Sequence, residues 1–172
     1  MVVETGEGLN DANSYVGIEF ADDYFSARGV EGWEALTAEQ KERSLIRATD
    51  FVDNVYQWLG KKASASQSLR FPRDNLFDYE GNAVESVPKC LKQAVCDAAF
   101  LDSSGTELFQ TKNENGDVVS ETITTLSFTY AKNESSEKTA STTLYDSINT
   151  KLRGLFREAS SNRIISGKVE RV

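Results

Sequence analysis

The spacing of hydrophobic residues predicts one long amphipathic helix, from Thr37 to about Leu59. Apolar positions recur there every three or four residues, as on one face of an α-helix. Counting the methyl group of Thr49, they are Leu45, Ile46, Thr49, Val52, Val55, Tyr56 and Leu59. Thr37 and Gln40 have the form of a capping box at the start, and Gly60 is placed to end the helix in a left-handed turn. We expect the core to form around this helix.

The same spacing predicts three further helices. A short one runs from Ile18 to Arg28 and ends before Gly29. The next begins at Ser86–Pro88, because proline is tolerated in a first helical turn, and it ends near residues 104–105. A last helix covers about Thr143 to Ser160, with apolar residues along one face.

Beyond residue 105 the pattern changes to that of strands. Thr124, Leu126, Phe128 and Tyr130 alternate with smaller polar residues, as in a strand with one buried face. Upstream, Asn115-Gly116 is a typical hairpin turn, and we predict contacts to other proteins at Asn113, Asn115 and Gly116. Residues 132–142 contain no large apolar side chain and are predicted to be a flexible loop.

These elements predict a mainly α fold. We expect a small four-helix bundle with a β-hairpin insertion and an extended C-terminal tail. A single helical domain would cover residues 1–160, with the insertion at about 106–131, and the tail would cover residues 161–172. A chain of 172 residues is suited to one such domain.

A segment that we call the strap, residues 67–73, follows the long helix. Proline fixes its own φ and disfavours the helical region for the residue before it, which predicts a rigid extended connection. We assign Leu69, Phe71 and Pro72 to the core, and Arg70 and Arg73 to ion pairs between helices or subunits. The strap residues to which we assign a role are Gln67, Leu69, Arg70, Phe71, Pro72 and Arg73.

The net charge of −8 is unevenly distributed along the chain. From residue 151 onward there are six basic and two acidic residues, so this end carries +4 and the first 150 residues carry −12. Such asymmetry is typical of a basic arm that meets an acidic partner or a phosphate backbone. Ordinary scatter of surface charge explains it equally well.

Catalysis and cofactor binding are not expected. The chain has no histidine, which removes the commonest general base and the commonest metal ligand. Asp50 and Asp53 lie one turn apart on the long helix, but helix surfaces normally carry such residues for solubility. Cys90 and Cys96 point in different directions on one helix, so we interpret both as reduced, buried residues. No apolar run is long enough to span a membrane.

Binding to single-stranded DNA is a second possibility. Such proteins combine a basic groove with aromatic side chains on which bases stack. The aromatic residues Tyr56, Trp58 and Phe71 are near in sequence to four basic residues, Lys61, Lys62, Arg70 and Arg73. The charge of −12 on the first 150 residues opposes the release of counterions that drives this binding, so packing and salt bridging are favoured.

A set of short motifs resembles a known family over roughly residues 10 to 131. In order they are Asn13–Val16, Ala21–Phe25, Trp33, Leu45–Asp53, Trp58–Gly60, Gln67–Arg73 and Val87-Pro88. This ordered set resembles tailed-phage proteins that are labelled DnaT-like single-stranded-DNA-binding and are similar to head-to-tail adaptors. The resemblance implies a structural virion protein without enzymatic activity.

The resemblance also implies partners and a location. Adaptors of this kind form a ring of twelve copies under the portal protein, seal the DNA-filled capsid and carry the tail or neck proteins. Genomic DNA would pass through the lumen without specific binding, and the protein would be found in the virion neck, and in the host cytoplasm during assembly. Portal docking would fall to the basic tail, at Arg163, Ile164, Ile165, Lys168, Val169 and Arg171.

Two other functions stay open. The first is a replication accessory protein that binds single-stranded DNA, with an affinity that falls steeply with salt. The second is a small bacterial regulatory or interaction domain.

Overall fold

The computed structural model describes residues 1–84, 86–106, 108, 121–123, 126–128 and 141–157. Its described part is mostly helical, with two small antiparallel sheets. In chain order the elements are α1 (Ile18–Ser26), α2 (Glu31–Glu34), α3 (Ala38–Val55), β1 (Lys61–Lys62), β2 (Arg73–Asp74), α4 (Lys89–Ser103), β3 (Glu121–Ile123), β4 (Leu126–Phe128) and α5 (Ser141–Leu152). No helix of this part is long and apolar enough to cross a membrane.

The long predicted helix is α3, and its start is confirmed. Thr37 and Gln40 form the capping box, each side chain bonding the backbone N–H of the other. Its predicted end at Leu59 is wrong, since the chain becomes extended at Tyr56. The Leu59 N–H donates to the carbonyl of Leu155 at 3.0 Å, and the Arg157 N–H donates to Gln57 at 2.8 Å. Pairing with a distant segment thus replaces the last helical turn.

The helix predicted for residues 143–160 is α5, which begins at Ser141 and ends at Leu152. Gly154 follows with a φ of +85°, a left-handed conformation that glycine adopts without strain and that turns the chain. Leu155 and Phe156 are buried as expected of an apolar face, but Leu155 ends the turn that follows α5, and Phe156 pairs with Trp58.

The first and third predicted helices are confirmed with small shifts at their ends. α1 ends at Ser26, and Gly29 has a φ of +65° just beyond it. Pro88 is the N-cap of α4, which ends next to Ser104. Strands β3 and β4 pair with Ile123 opposite Leu126, so the predicted strand at 124–130 contains β4, and its other residues lie outside the described part of the chain.

Helix α4 lies at the centre of the core, with α3 and α5 packed against it. Its buried face is rich in alanine, which lets neighbouring helices approach closely. Large side chains from many elements fill the space between them: Tyr15, Trp33, Leu45, Phe71, Leu76, Leu91, Ile148 and Leu152. The mainly helical class is confirmed. The four-helix bundle is not, because α1 and α2 are short and extended segments complete the core.

Candidate nucleic-acid interface

The strap is held in shape by one buried amide, that of Gln67. Its Oε1 accepts a hydrogen bond from the Ser64 N–H at 2.8 Å. Its Nε2 donates to the carbonyls of Leu69 at 2.9 Å and Pro72 at 3.1 Å. Buried polar groups need such partners, so Gln67 both fixes the strap and satisfies its backbone.

A buried tyrosine and a buried aspartate attach the strap to α3. The Tyr15 hydroxyl donates to Asp53 Oδ1 at 2.5 Å and accepts from the Phe71 N–H at 3.0 Å. Asp53 Oδ2 accepts from the Arg70 N–H at 2.9 Å. Burial raises the pKa of the Asp53 carboxyl and that of the Tyr15 hydroxyl. Asp53 is therefore a structural acceptor, and it does not form a pair with the exposed Asp50.

The guanidinium of Arg73 is occupied by backbone carbonyls. Nε donates to Leu59 at 2.5 Å, Nη1 to Arg70 at 3.0 Å and Nη2 to Gly60 at 3.0 Å. Burial lowers its pKa. No ion pair of Arg70 or Arg73 occurs among the described residues, and Arg73 instead joins the strap to residues 59–60 through their carbonyls.

Three chain segments meet at one surface beside the strap. Residues 57–59 pair with 155–157, β1 pairs with β2, and Gly154 lies against Tyr79. These segments carry three large exposed apolar side chains: Leu59 at 37%, Phe77 at 53% and Tyr79 at 78% exposure. Lys61 and Arg157 are exposed on the same segments. We call these five residues the aromatic platform.

The two aromatic residues of the platform are presented by an ordered turn. Asp78 lies between them, and its carboxylate accepts from the backbone N–H groups of Glu80 at 2.9 Å and Asn82 at 2.8 Å. These hydrogen bonds lower the pKa of Asp78. Phe77 also pairs with Ala83 across the turn. The backbone that carries the two exposed rings is therefore ordered.

The platform is locally basic on an acidic protein. Residues 57–84 contain four basic and three acidic residues, and residues 153–157 contribute two arginines and no acid. The segments together carry +3, against −8 for the whole chain. Exposed aromatic rings next to positive charge are the two components of a surface that binds single-stranded nucleic acid.

A family model described as "Putative DnaT-like ssDNA binding protein" matches residues 1–172. The chain belongs to this family. No curated protein and no solved structure matches it.

The identification as a phage head-to-tail adaptor is wrong. The DnaT-like ssDNA-binding family covers the whole chain, and nothing in its description refers to a virion, a connector or a portal. The finding instead favours the alternative of a single-stranded-DNA-binding protein. The ring of twelve copies, the portal and tail partners and the virion location were implied only by the adaptor resemblance, and no observation tests them.

The structure separates the residues predicted for DNA binding into two groups. Lys61 and Arg70 are exposed, whereas Lys62 donates through Nζ to the Gln67 carbonyl at 3.0 Å. Trp58 is half-buried and meets the Phe71 ring edge-on at 4.9 Å between centroids. Tyr56 is buried and donates to Asn149 at 2.5 Å. Both aromatic residues are packing residues, as the sequence favoured.

Sequence reasoning missed Phe77 and Tyr79, which lie in a segment predicted only as a loop. Two large aromatic residues, spaced two apart in a polar loop, were the available signal. The predicted contact residues of the hairpin (Asn113, Asn115, Gly116) and of the tail (Arg163, Ile164, Ile165, Lys168, Val169, Arg171) lie outside the described residues.

Neither cysteine forms a disulfide among the described residues. Cys90 and Cys96 are both free. Cys96 is buried as predicted, and burial raises the pKa of its thiol to about 12, whereas Cys90 is only half-buried. The neighbouring Asp97 joins three helices instead: it accepts from the Tyr24 hydroxyl at 2.7 Å and pairs with Lys151.

Proposed function

We propose that this protein binds single-stranded DNA and that the aromatic platform is the contact surface. Membership of the DnaT-like family supports the activity. The location of the binding surface is inferred from the exposed rings of Phe77 and Tyr79, which lie on segments with a net positive charge.

The chemistry of the platform suits single strands without a fixed sequence. Every base has a π-face, so stacking on an aromatic side chain tolerates any base and contributes about 1–3 kcal/mol each. Lys61 and Arg157 are positioned to neutralise backbone phosphates beside the stacked bases. With so few cations and an acidic body, stacking must supply a large share of the binding energy, and the dependence on salt should be moderate.

The direct test is fluorescence anisotropy with a labelled oligo(dT). We expect Phe77→Ala and Tyr79→Ala each to weaken binding by roughly 5- to 150-fold, the equivalent of about 1–3 kcal/mol of lost stacking. Tyr79→Phe should bind like the wild type, because it keeps the ring. Arg43→Ala is the matched control, since Arg43 is exposed on α3 outside the platform.

Two results would contradict the proposal. One is the absence of any saturable binding by the wild-type protein at low salt. The other is an unchanged affinity for oligo(dT) in the double variant Phe77→Ala/Tyr79→Ala, which would mean that DNA binds at another surface.

We propose that the protein acts without catalysis, because its sequence lacks histidine. We further propose that α1, although short, forms one four-helix bundle with α3, α4 and α5, since α4 packs against each of the other three helices.

A further inference from the structure

A surface cavity of about 370 Å³ opens next to the aromatic platform. Phe77 belongs to both, since it is one of the lining residues of the cavity and is also half exposed. Sites for small organic ligands typically have volumes of roughly 300–1,000 Å³, so this cavity can hold a group the size of a nucleobase. A strand lying on the platform would therefore pass its mouth.

The wall of the cavity is rich in hydrogen-bond acceptors. Its lining residues include Glu7 and Asp74, whose carboxylates only accept hydrogen bonds, and Asn75 and Ser86, which can both accept and donate them. Arg73 is the basic residue of the lining, but its guanidinium already donates to three carbonyls. At Glu7 and Asp74, a ligand group that donates hydrogen bonds is therefore favoured over one that only accepts them.

The backbone around the cavity is unusual. Asn75 and Ser86 are the only non-glycine residues with positive φ among those that the structure describes, at 54° and 60°, and both line the cavity. Gly6, with a φ of +105°, packs so closely on Ser86 that a Cβ there would lie 1.8 Å from the Ser86 hydroxyl oxygen. Such conformations cost free energy and cluster at ligand sites, which supports a binding role.

We propose that this cavity holds one unpaired base of the bound strand and selects bases that carry an exocyclic amino group. The inference rests on the proposed binding of single-stranded DNA and adds a base preference to it. The amino groups of cytosine and adenine donate hydrogen bonds, and carboxylates accept from them. Thymine and uracil present a carbonyl oxygen at the corresponding position, which would face Glu7 or Asp74 without a shared proton.

The sharpest probe is the pair oligo(dC) and oligo(dU) of equal length, at neutral pH. The two bases have the same ring size, and cytosine has an amino group where uracil has a carbonyl oxygen. We expect the wild-type protein to bind oligo(dC) about fivefold or more tightly, since one good base contact discriminates by at least about 1 kcal/mol. In the double variant Glu7→Gln/Asp74→Asn this ratio should fall to one or below, because amides can also donate to uracil.

The ratio of the affinities for oligo(dC) and oligo(dU) distinguishes base selection in the cavity from a general electrostatic effect on DNA binding. Removing acidic charge strengthens binding to every strand, so Glu80→Gln is the control: Glu80 is exposed near the platform and does not line the cavity. It should raise both affinities and keep the ratio. Circular dichroism checks that each variant is folded.

The outcomes distinguish the two proposals. If the wild type bound oligo(dC) and oligo(dU) with equal affinity, the proposed base site would be overturned, whereas the platform could still be the DNA-binding surface. An unchanged preference in the Glu7→Gln/Asp74→Asn variant would also overturn it. Failure of the wild type to bind either strand would overturn the proposed function itself.

Discussion

Two tyrosines of this protein have opposite roles, and their surroundings explain the difference. Tyr15 is fully buried, and its hydroxyl connects Asp53 with the backbone of Phe71. Tyr79 is 78% exposed at the tip of a turn. The Tyr15 hydroxyl therefore contributes to stability, whereas the ring of Tyr79 remains available for a ligand.

This contrast predicts different effects of the same substitution. Tyr15→Phe removes a partner of Asp53 and leaves the Phe71 N–H buried without an acceptor, which should lower the free energy of unfolding by about 1–3 kcal/mol. Tyr79→Phe should change it by less than about 0.5 kcal/mol, as is usual for exposed positions. Urea denaturation of both variants measures the difference. Equal effects would mean that the hydroxyl of Tyr15 does not hold the strap.

Single residues with a local signature could be predicted from the sequence. The capping box at Thr37 is confirmed, and Leu69, Phe71 and Pro72 are buried as expected. The bond between Tyr15 and Asp53 could not be predicted, because 38 positions separate them and no local pattern indicates which carboxylate is buried.

At the scale of elements, periodicity predicted where helices occur but not where two of them end. Tyr56 and Leu59 continue the apolar spacing of α3, yet the chain there is extended because it pairs with residues 155–157. A helix and an extended segment can both bury the same short apolar run. The choice depends on a partner about a hundred residues away, which a local pattern does not contain.

Gly154 connects the end of α5 with the platform, and Gly105 provides a matched control. Both have a φ of +85°, but a Cβ at Gly154 would lie 3.2 Å from Tyr79 Cβ, whereas Gly105 has no neighbour within 4 Å. Alanine should cost about 1–2 kcal/mol at either position for its backbone alone. Gly154→Ala should cost more than Gly105→Ala, because its Cβ requires Tyr79 to move by a few tenths of an ångström.

Thermal and urea unfolding of the two glycine variants give these costs, and anisotropy with oligo(dT) gives the effect on the site. We expect weaker DNA binding only in Gly154→Ala, because the added methyl displaces Tyr79. If both variants unfold alike and bind alike, the contact between Gly154 and Tyr79 does not hold the platform in place.

At the scale of the whole molecule, the motifs behind the adaptor resemblance are mainly determinants of the fold. Tyr15, Trp33, Gln67 and Phe71 are all buried. Residues of this kind identify a family, but a family fold does not fix an activity, which resides in surface sites. The platform could not be predicted, because its residues come together only when segments 57–62, 73–79 and 153–157 meet.

The acidic body should act on DNA binding only over long range and only at low salt. Glu39 lies in the first turn of α3, a helix of 18 residues and so roughly 27 Å long, at the end opposite Leu59. The Debye length is about 30 Å at 0.01 M salt and about 10 Å at 0.1 M. The double variant Glu34→Gln/Glu39→Gln should therefore bind oligo(dT) more tightly than the wild type at the lower salt concentration and equally at the higher one.

The loss of DNA affinity in Tyr79→Ala should persist at both salt concentrations, because base stacking is a contact interaction. If the effect of the Glu39 substitution persisted at high salt, the DNA would lie next to the start of α3, and the platform would not be the binding surface.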